Sequence, residues 1–180
     1  MTVYQFEDRI PRIGNETYIH PTASVIGDVS IGKGCWIGPG ACIRGDYGTV
    51  VIGDFTSVEE NAVIHARPGE RTEIGQWVTI GHAAVIHNAT VRRYVVIGMR
   101  SVVSDWAVIG VWAVVAEGAV VRQGQDVPDG KIAVGVPARL LEKDVSEEYK
   151  AQWTEFKKIY VDLARRYPAG LKPLKIPQSP

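Results

Sequence analysis

Aliphatic residues recur every six positions along most of the chain, with short interruptions after Ile43, Ile64 and Ile86. The members of this series are Ile19, Val25, Ile31, Ile37, Ile43, Ile52, Val58, Ile64, Ile74, Ile80, Ile86, Val91, Ile97, Val103, Ile109, Val115 and Val121. A period of six matches neither the 3.6-residue repeat of a helix nor the alternation of a half-buried strand. It matches short strands and tight turns wound into a parallel β-helix. The alternative is a β-sandwich with glycine-rich turns, which has no reason to keep one register over this length.

The pattern changes beyond residue 140. The segment Asp144-Val145-Ser146-Glu147 has the form of a capping box. Apolar residues spaced three to four apart then predict an amphipathic helix over residues 145–167. These residues are Tyr149, Trp153, Phe156, Tyr160 and Leu163. Prolines punctuate the tail, at Pro168, Pro173, Pro177 and Pro180. We therefore expect a β-helix domain over residues 1–140, and a C-terminal helix with a Pro-rich tail, residues 141–180, packed on it.

The charge balance argues against nucleic acid or anionic membranes as partners. The 180 residues include 20 Lys and Arg and 20 Asp and Glu, so the formal net charge is zero. No apolar run approaches the length that spans a bilayer, and residues 1–11 lack the apolar core of a secretory signal. Cys35 and Cys42 form no C-x-x-C pair, and they predict neither a disulfide framework nor a thiolate metal site. We therefore expect a cytoplasmic protein with no nucleic-acid or membrane partner.

The six-residue repeat resembles that of the hexapeptide-repeat proteins. Their family fold is a left-handed β-helix of triangular cross-section with three hexads per coil, and they are usually trimeric. The resemblance implies an all-β fold, a left-handed parallel β-helix followed by the C-terminal α-helix, assembled as a homotrimer. The handedness comes from the resemblance alone, since the general preference for right-handed crossovers points the other way.

The repeat also indicates where the histidines lie. If the isoleucines before them share one side of successive coils, Arg44, His65 and His87 stack at one corner. Adjacent coils lie about 4.8 Å apart, so the two imidazoles could bind one metal ion. His82 belongs to the preceding side of its coil, roughly 15–20 Å away at about 3.3 Å per residue, which is too far within one chain. In a three-fold trimer the site would combine His65 and His87 of one chain with His82 of its neighbour. The alternative is a histidine stack without metal.

Three short segments resemble the motifs of the gamma-class carbonic anhydrases. These segments are Arg44-Gly45-Asp46, Val63-Ile64-His65, and Ile80-Gly81-His82 followed by His87. In that family an Arg-x-Asp motif precedes a first histidine and then a His-x4-His pair. The resemblance covers about residues 10–140. It implies that His65, His82 and His87 are the metal ligands, with His82 donated across the subunit interface. It also implies that Arg44 and Asp46 form the family's structural and catalytic pair.

Two further carboxylates complete the candidate catalytic residues. Glu59 stands where the family usually has Gln beside the metal, and Ser57 where it usually has Asn. Glu60 takes the place of a family Asp, and in the hexad register it lies one coil below His82. That position makes Glu60 a candidate partner of Arg44 across the subunit interface. The alternative for Glu60 is a solvated surface carboxylate.

Three neutral imidazoles on a divalent ion leave a position open for water, as in catalytic zinc sites. Zn²⁺ is the expected ion, with Fe²⁺ and Co²⁺ as alternatives. A metal-bound hydroxide at the trimer interface would then hydrate carbon dioxide reversibly to bicarbonate. Whether the chain is an active carbonic anhydrase-type lyase stays open, because an ionised Glu59 cannot donate a hydrogen bond. The short segment 66–73 also replaces the family's long acidic loop, with Glu70 as a candidate proton acceptor.

Two other functions remain alternatives. A hexapeptide-repeat acyltransferase shares the fold and uses a histidine as general base, without metal. A metal-binding scaffold homologue would hold the ion without hydration activity. Acyl transfer predicts a dependence on acyl-CoA that chelators leave untouched, whereas the scaffold predicts bound metal without turnover.

Overall fold

The structure, a computed structural model, describes residues 2–174. The chain is mostly β, with parallel coils stacked into a solenoid of about seven turns and one C-terminal helix, which confirms the predicted parallel β-helix. The tail residues Pro177 and Pro180 lie outside the described residues. Over residues 2–174, no helix is both long and apolar enough to cross a membrane. The cytoplasmic location expected from the sequence stays a prediction.

Each coil has three sides, and the strands of one side pair in parallel with those of the neighbouring coils. The first side consists of β1 (Val3–Tyr4), β8 (Val63–His65), β11 (Val85–His87), β14 (Val102–Val103) and β17 (Val120–Val121). The second side consists of β2 (Arg12–Ile13), β9 (Arg71–Ile74), β12 (Thr90–Val91), β15 (Val108–Ile109) and β18 (Asp126–Val127). Two long strands, β4 (Ser24–Ile31) and β6 (Cys42–Ile52), run through both of these sides.

The third side carries the C-terminal helix. Its strands are β3 (Tyr18–Ile19), β5 (Trp36–Ile37), β7 (Ser57–Val58), β10 (Thr79–Ile80), β13 (Val96–Ile97), β16 (Val114–Val115) and β19 (Ile132–Val134). A last strand, β20 (Arg139–Leu140), pairs with β19 in antiparallel orientation and ends the solenoid.

The six-residue aliphatic series forms the core. Ile43, Ile64 and Ile86 are paired in register on the first side and are fully buried. Because neighbouring strands lie about 4.8 Å apart, each inward side chain packs directly on its counterpart in the next coil. Cys35 lies in the same core, and burial raises the pKa of its thiol to about 11.

Three corners join the sides of each coil, and two of them carry the candidate site. We call the corner between the first and second sides the His65 corner, because it holds His65 and His87. The corner between the third and first sides is the His82 corner. There Asn61 and Ala83 adopt left-handed φ angles of 59° and 58°, which turn the chain sharply. Asn61 follows Glu60 and Ala83 follows His82, so Glu60 and His82 lie at the outer edge of the corner. The His82 side chain is exposed there.

The helix α1 (Glu147–Gly170) packs against β3, β5 and β7 of the third side. The helix predicted over residues 145–167 is confirmed. The predicted capping box, which begins at Asp144, is wrong. Ser146 is the N-cap, and its side chain accepts a hydrogen bond from the Tyr149 N–H at 3.2 Å. Asp144 instead pairs with Lys131. The helix ends later than predicted because Pro168 falls in its last turn, where a missing N–H removes a single bond.

The buried face of α1 also differs from the expected aromatic stripe. Its buried residues are Lys157, Val161 and Ala164. Tyr160 and Tyr167 border this face and pack against Trp36, with ring centroids 5.2 Å and 5.7 Å away. The three-to-four spacing of aromatic residues therefore predicts the helix correctly, but it does not predict the charged residue at the centre of its interface.

Candidate metal centre

Arg44, His65 and His87 stack at the His65 corner, as the repeat predicts. Arg44 is paired with His65 in the register of β6 and β8, and His65 is paired with His87 in the register of β8 and β11. Each follows a buried isoleucine, so inward packing of that isoleucine directs the next side chain outward. The ring centroids of His65 and His87 are 5.3 Å apart. Two imidazoles at this separation can share one ion whose bonds to nitrogen are about 2.0–2.1 Å long.

An ion pair orients the His65 ring. Its Nε2 lies 2.9 Å from Oδ1 of Asp46, and Arg44 binds the other carboxylate oxygen. Burial raises the pKa of Asp46, but hydrogen bonds from His65 and Arg44 outweigh burial and lower the pKa overall. Asp46 is therefore an anion that holds the Nε2–H group. This leaves Nδ1, which lies 3.5 Å from the Tyr47 hydroxyl, as the nitrogen available to a ligand.

A second ion pair, absent from the sequence prediction, orients His87 in the same way. Nδ1 of His87 contacts Oδ1 of Asp105, and Arg67 lies 2.9 Å from the other oxygen. Burial raises the pKa of Asp105, but hydrogen bonds from His87 and Arg67 lower it overall. His87 lines up with Ser104 of the next coil, because β11 and β14 pair Ile86 with Val103, and Asp105 is the residue after Ser104. The register that stacks the two histidines therefore ends one residue short of Asp105, at the same corner.

His82 lies at the other corner of its chain, away from His65 and His87. Its Nδ1 contacts Glu60, and its Nε2 lies 3.1 Å from Glu59. The His82 side chain is 46% exposed, whereas that of Glu59 is 7% exposed. Burial raises the pKa of Glu59, and its interactions with Tyr160 and His82 offset this only in part. The expected pairing of Glu60 with Arg44 of a neighbour stays a prediction.

The loop after His65 is fixed over the His65 corner. Oε2 of Glu70 accepts hydrogen bonds from Nε1 of Trp106, at 2.7 Å, and from the side-chain amide of Asn88. The guanidinium group of Arg67 lies over the Trp106 ring, 5.1 Å from its centroid. Glu70 is therefore a hydrogen-bonded carboxylate that closes the loop onto the next coils.

The residues present fit a divalent metal ion. Each of the three histidines has a carboxylate partner; the pairs are His65–Asp46, His87–Asp105 and His82–Glu60. A carboxylate behind a histidine fixes its tautomer and ring orientation, as is usual for metal ligands. Within residues 2–174 of one chain, no three His, Cys, Asp or Glu side chains converge to hold an ion. The chain thus offers two orientated imidazoles at one corner and a third at another.

Known proteins are similar to this chain in sequence. Residues 11–45 match the family described as bacterial transferase hexapeptide (six repeats). Gamma carbonic anhydrase 1, mitochondrial, of Arabidopsis thaliana is 38% identical over 97% of this chain and 66% of its own length. The carnitine operon protein CaiE of Proteus sp. is 40% identical over 47% of this chain and 43% of its own length. The chain therefore spans less than two thirds of both relatives.

Solved structures with the same fold include a hexapeptide transferase family protein from Anaplasma phagocytophilum. It is 31% identical, with a TM-score of 0.87 over 92% of this chain and 98% of its own. A putative acetyltransferase from Bacillus cereus is 28% identical, with a TM-score of 0.89 over 92% of this chain and 96% of its own.

Proposed function

Since the chain belongs to the hexapeptide-repeat family and is similar to a gamma carbonic anhydrase over nearly its whole length, we propose that it is a gamma carbonic anhydrase-type metalloprotein. Its reaction is the reversible hydration of carbon dioxide to bicarbonate, at sites between the subunits of a homotrimer. One observation carries the proposal. His65 and His87 lie ring beside ring, and an Asp–Arg ion pair behind each ring holds one nitrogen and leaves the other for a ligand.

The metal site requires two copies of the chain. In a three-fold trimer the His65 corner of one subunit meets the His82 corner of the next. His65 and His87 of one subunit and His82 of the neighbouring subunit would then hold Zn²⁺, and the same ligands accept Fe²⁺ or Co²⁺. When bound, such an ion lowers the pKa of a water molecule to about 7 and so supplies hydroxide to carbon dioxide.

The remaining residues position ligands and move protons. Asp46 and Asp105 hold the ring nitrogens of His65 and His87 and so fix the ligand geometry before an ion arrives. Arg44, partly exposed beside Asp46, offers its guanidinium group to the bicarbonate anion. Oε2 of Glu59, 3.1 Å from His82, is the proton acceptor of the proposal, because its raised pKa brings protonation closer to neutral pH.

Metal analysis and carbon dioxide hydration on the same sample test this function. We expect about one ion per chain, and loss of both metal and hydration in His82→Ala and His87→Ala. His20→Ala is the matched control, because His20 lies three coils from His82 along the His82 corner and bonds Thr22 at 2.8 Å. A protein that stays metal-free after reconstitution with Zn²⁺, Fe²⁺ and Co²⁺ would refute the proposal. Full metal occupancy without hydration would favour the scaffold homologue.

Acyl transfer is the second candidate, and two observations favour it. The solved neighbours include proteins described as a hexapeptide transferase family protein and a putative acetyltransferase. The exposed His82, held through Nδ1 by Glu60, also has the arrangement of a histidine general base orientated by a carboxylate. An acyl-CoA-dependent activity that resists chelators and disappears in His82→Ala would establish this function in place of the first.

A further inference from the structure

Lys157 is a lysine buried between α1 and the third side of the solenoid. It is 2% exposed and lies at the centre of the helix face that packs on the sheet. Lysine is rarely buried to this degree without an anionic partner. The neutral side chains of Val161 and Ala164 complete the same face. The proposed metal chemistry makes no use of Lys157.

The hydrogen bonds of Lys157 match an amine better than an ammonium group. Nζ donates to Oγ1 of Thr79 at 3.0 Å and to the carbonyl of Val95 at 3.1 Å. Among the residues that the structure describes, these two oxygens are its acceptors. An ammonium group has three N–H donors, and leaving one unpaired in a buried site costs free energy. Burial lowers the pKa of Lys157 to about 7, although the charge of Glu59 acts in the opposite direction.

A groove reaches the neighbourhood of this amine. It has a volume of about 340 Å³, lies between α1 and the third side, and extends to His82 and Glu59. Thr79, which accepts a hydrogen bond from Nζ, and Trp153, whose ring centroid is 5.6 Å from Nζ, both line it. Apart from His82, the described lining contains no basic side chain. A small neutral molecule in this mainly apolar groove therefore lies against two residues that contact Nζ.

Unused hydrogen-bond capacity lies next to the amine. Ser57 is paired with Thr79 in the register of β7 and β10, so the two side chains lie side by side on the outer surface of the sheet. Ser57 is 2% exposed, and its Oγ has no hydrogen-bond partner within residues 2–174. A buried hydroxyl without a partner is uncommon and calls for a group that can accept its proton.

From this geometry we propose that Lys157 is a carbon dioxide-binding site, at which the amine forms a carbamate. The lone pair of Nζ attacks the carbon of carbon dioxide and forms the N–C bond, while one C=O electron pair moves onto oxygen. One proton leaves Nζ and passes to the solvent. The new carboxylate group then accepts hydrogen bonds from the Thr79 and Ser57 hydroxyls. The step consumes no other reactant.

The titratable groups around Lys157 set the conditions for this reaction. Glu59 faces it from the third side, and Tyr160 faces it from α1; burial and the charge of Glu59 raise the pKa of Tyr160. Tyr160 therefore stays neutral at all pH values of interest, whereas Glu59 is an anion whose charge acts on Lys157. We expect carbamate to increase at least tenfold between pH 6 and pH 8 at constant dissolved carbon dioxide, because the amine loses its proton over that range.

Carbon-13 NMR of the protein equilibrated with ¹³C-bicarbonate tests the proposal. We expect a carbamate resonance in the wild type that is absent from Lys157→Met and unchanged in Lys158→Met. Lys158 is the matched control, because it is the next residue, is exposed and pairs with Glu155 at 2.7 Å. The α-amino group also forms carbamate, so its resonance is common to all three proteins. Identical spectra for the wild type and Lys157→Met would overturn the proposal.

A second variant keeps the test decisive if Lys157→Met fails to fold. Ser57→Ala removes one hydroxyl donor and leaves the amine in place, so we expect a weaker Lys157 carbamate resonance at the same pressure of carbon dioxide. An unchanged resonance would overturn the proposed site, in which the Ser57 hydroxyl donates a hydrogen bond to the carbamate. The experiment needs no metal ion, so it can succeed or fail independently of the hydration activity proposed above.

Discussion

The buried amine of Lys157 predicts an unusual dependence of stability on pH. In the folded protein its pKa is lowered by burial to about 7, against an ordinary value of 10.5. Between these two values the unfolded chain binds a proton that the folded chain does not. The free energy of unfolding therefore rises as the pH increases through this range, and it levels off below about pH 7.

The size of the effect follows from the same two values. A pKa difference of this size corresponds to about 5 kcal/mol over the whole range, at about 1.4 kcal/mol per pH unit. Between pH 7 and pH 9 the wild type should gain about 2 kcal/mol that a variant without this amine does not gain. Lys157→Met keeps the length of the side chain and removes the titrating group, so the difference between the two proteins isolates Lys157.

Urea denaturation followed by tryptophan fluorescence measures this difference. The titrations are run at pH 6, 7, 8 and 9 in buffers free of carbon dioxide, at one protein concentration, because assembly also affects stability. Lys158→Met is the control and should follow the wild type at every pH. If the difference between wild type and Lys157→Met stays constant within about 0.5 kcal/mol from pH 7 to pH 9, Lys157 is not a buried amine with a lowered pKa.

Three other predictions follow from the structure. Asp105→Asn should weaken metal binding by about 10- to 100-fold in a chelator competition, because it loses the anion behind His87. The control is Asp126→Asn, at an exposed position, which should have no effect. Equal metal affinities of Asp105→Asn and the wild type would exclude the positioning role of Asp105. Ile64→Ala should lower the free energy of unfolding by about 2–5 kcal/mol in urea titrations, since it opens a cavity in the stacked core. Cys35, with its pKa raised to about 11, should react with a thiol reagent far more slowly than Cys42 in the native protein, and equal rates would contradict its burial.

The core and the histidine stack were predictable because a β-helix repeats one geometry. Once Ile64 and Ile86 are assigned to the same side of successive coils, the positions of His65 and His87 follow from counting. Backbone pairing fixes this register, and side chains one coil apart have no freedom to separate. The same counting places Ser104 next to His87 in the following coil and so ends one residue before Asp105, and the pattern of aliphatic residues gave no reason to examine that carboxylate.

The environment of α1 was not predictable in the same way. The spacing of aromatic residues indicates a helix, but its rotation about its own axis depends on how it fits the third side. That fit buries Lys157 and leaves Phe156 exposed. It also brings Glu59 into one electrostatic group with Lys157 and Tyr160, although Glu59 is about a hundred residues away from them in the chain. No local pattern encodes contacts of this kind.

The central claim is that two subunits complete each metal site, and subunit mixing tests it directly. His82→Ala lacks one ligand and His87→Ala lacks another, so each variant alone should bind no metal at the site. Trimers assembled from an equal mixture should regain about a quarter of the sites, where an intact His65 corner meets an intact His82 corner. Recovery of metal and hydration near that fraction is the predicted result. Mixed trimers that bind no more metal than either variant alone would contradict the shared site.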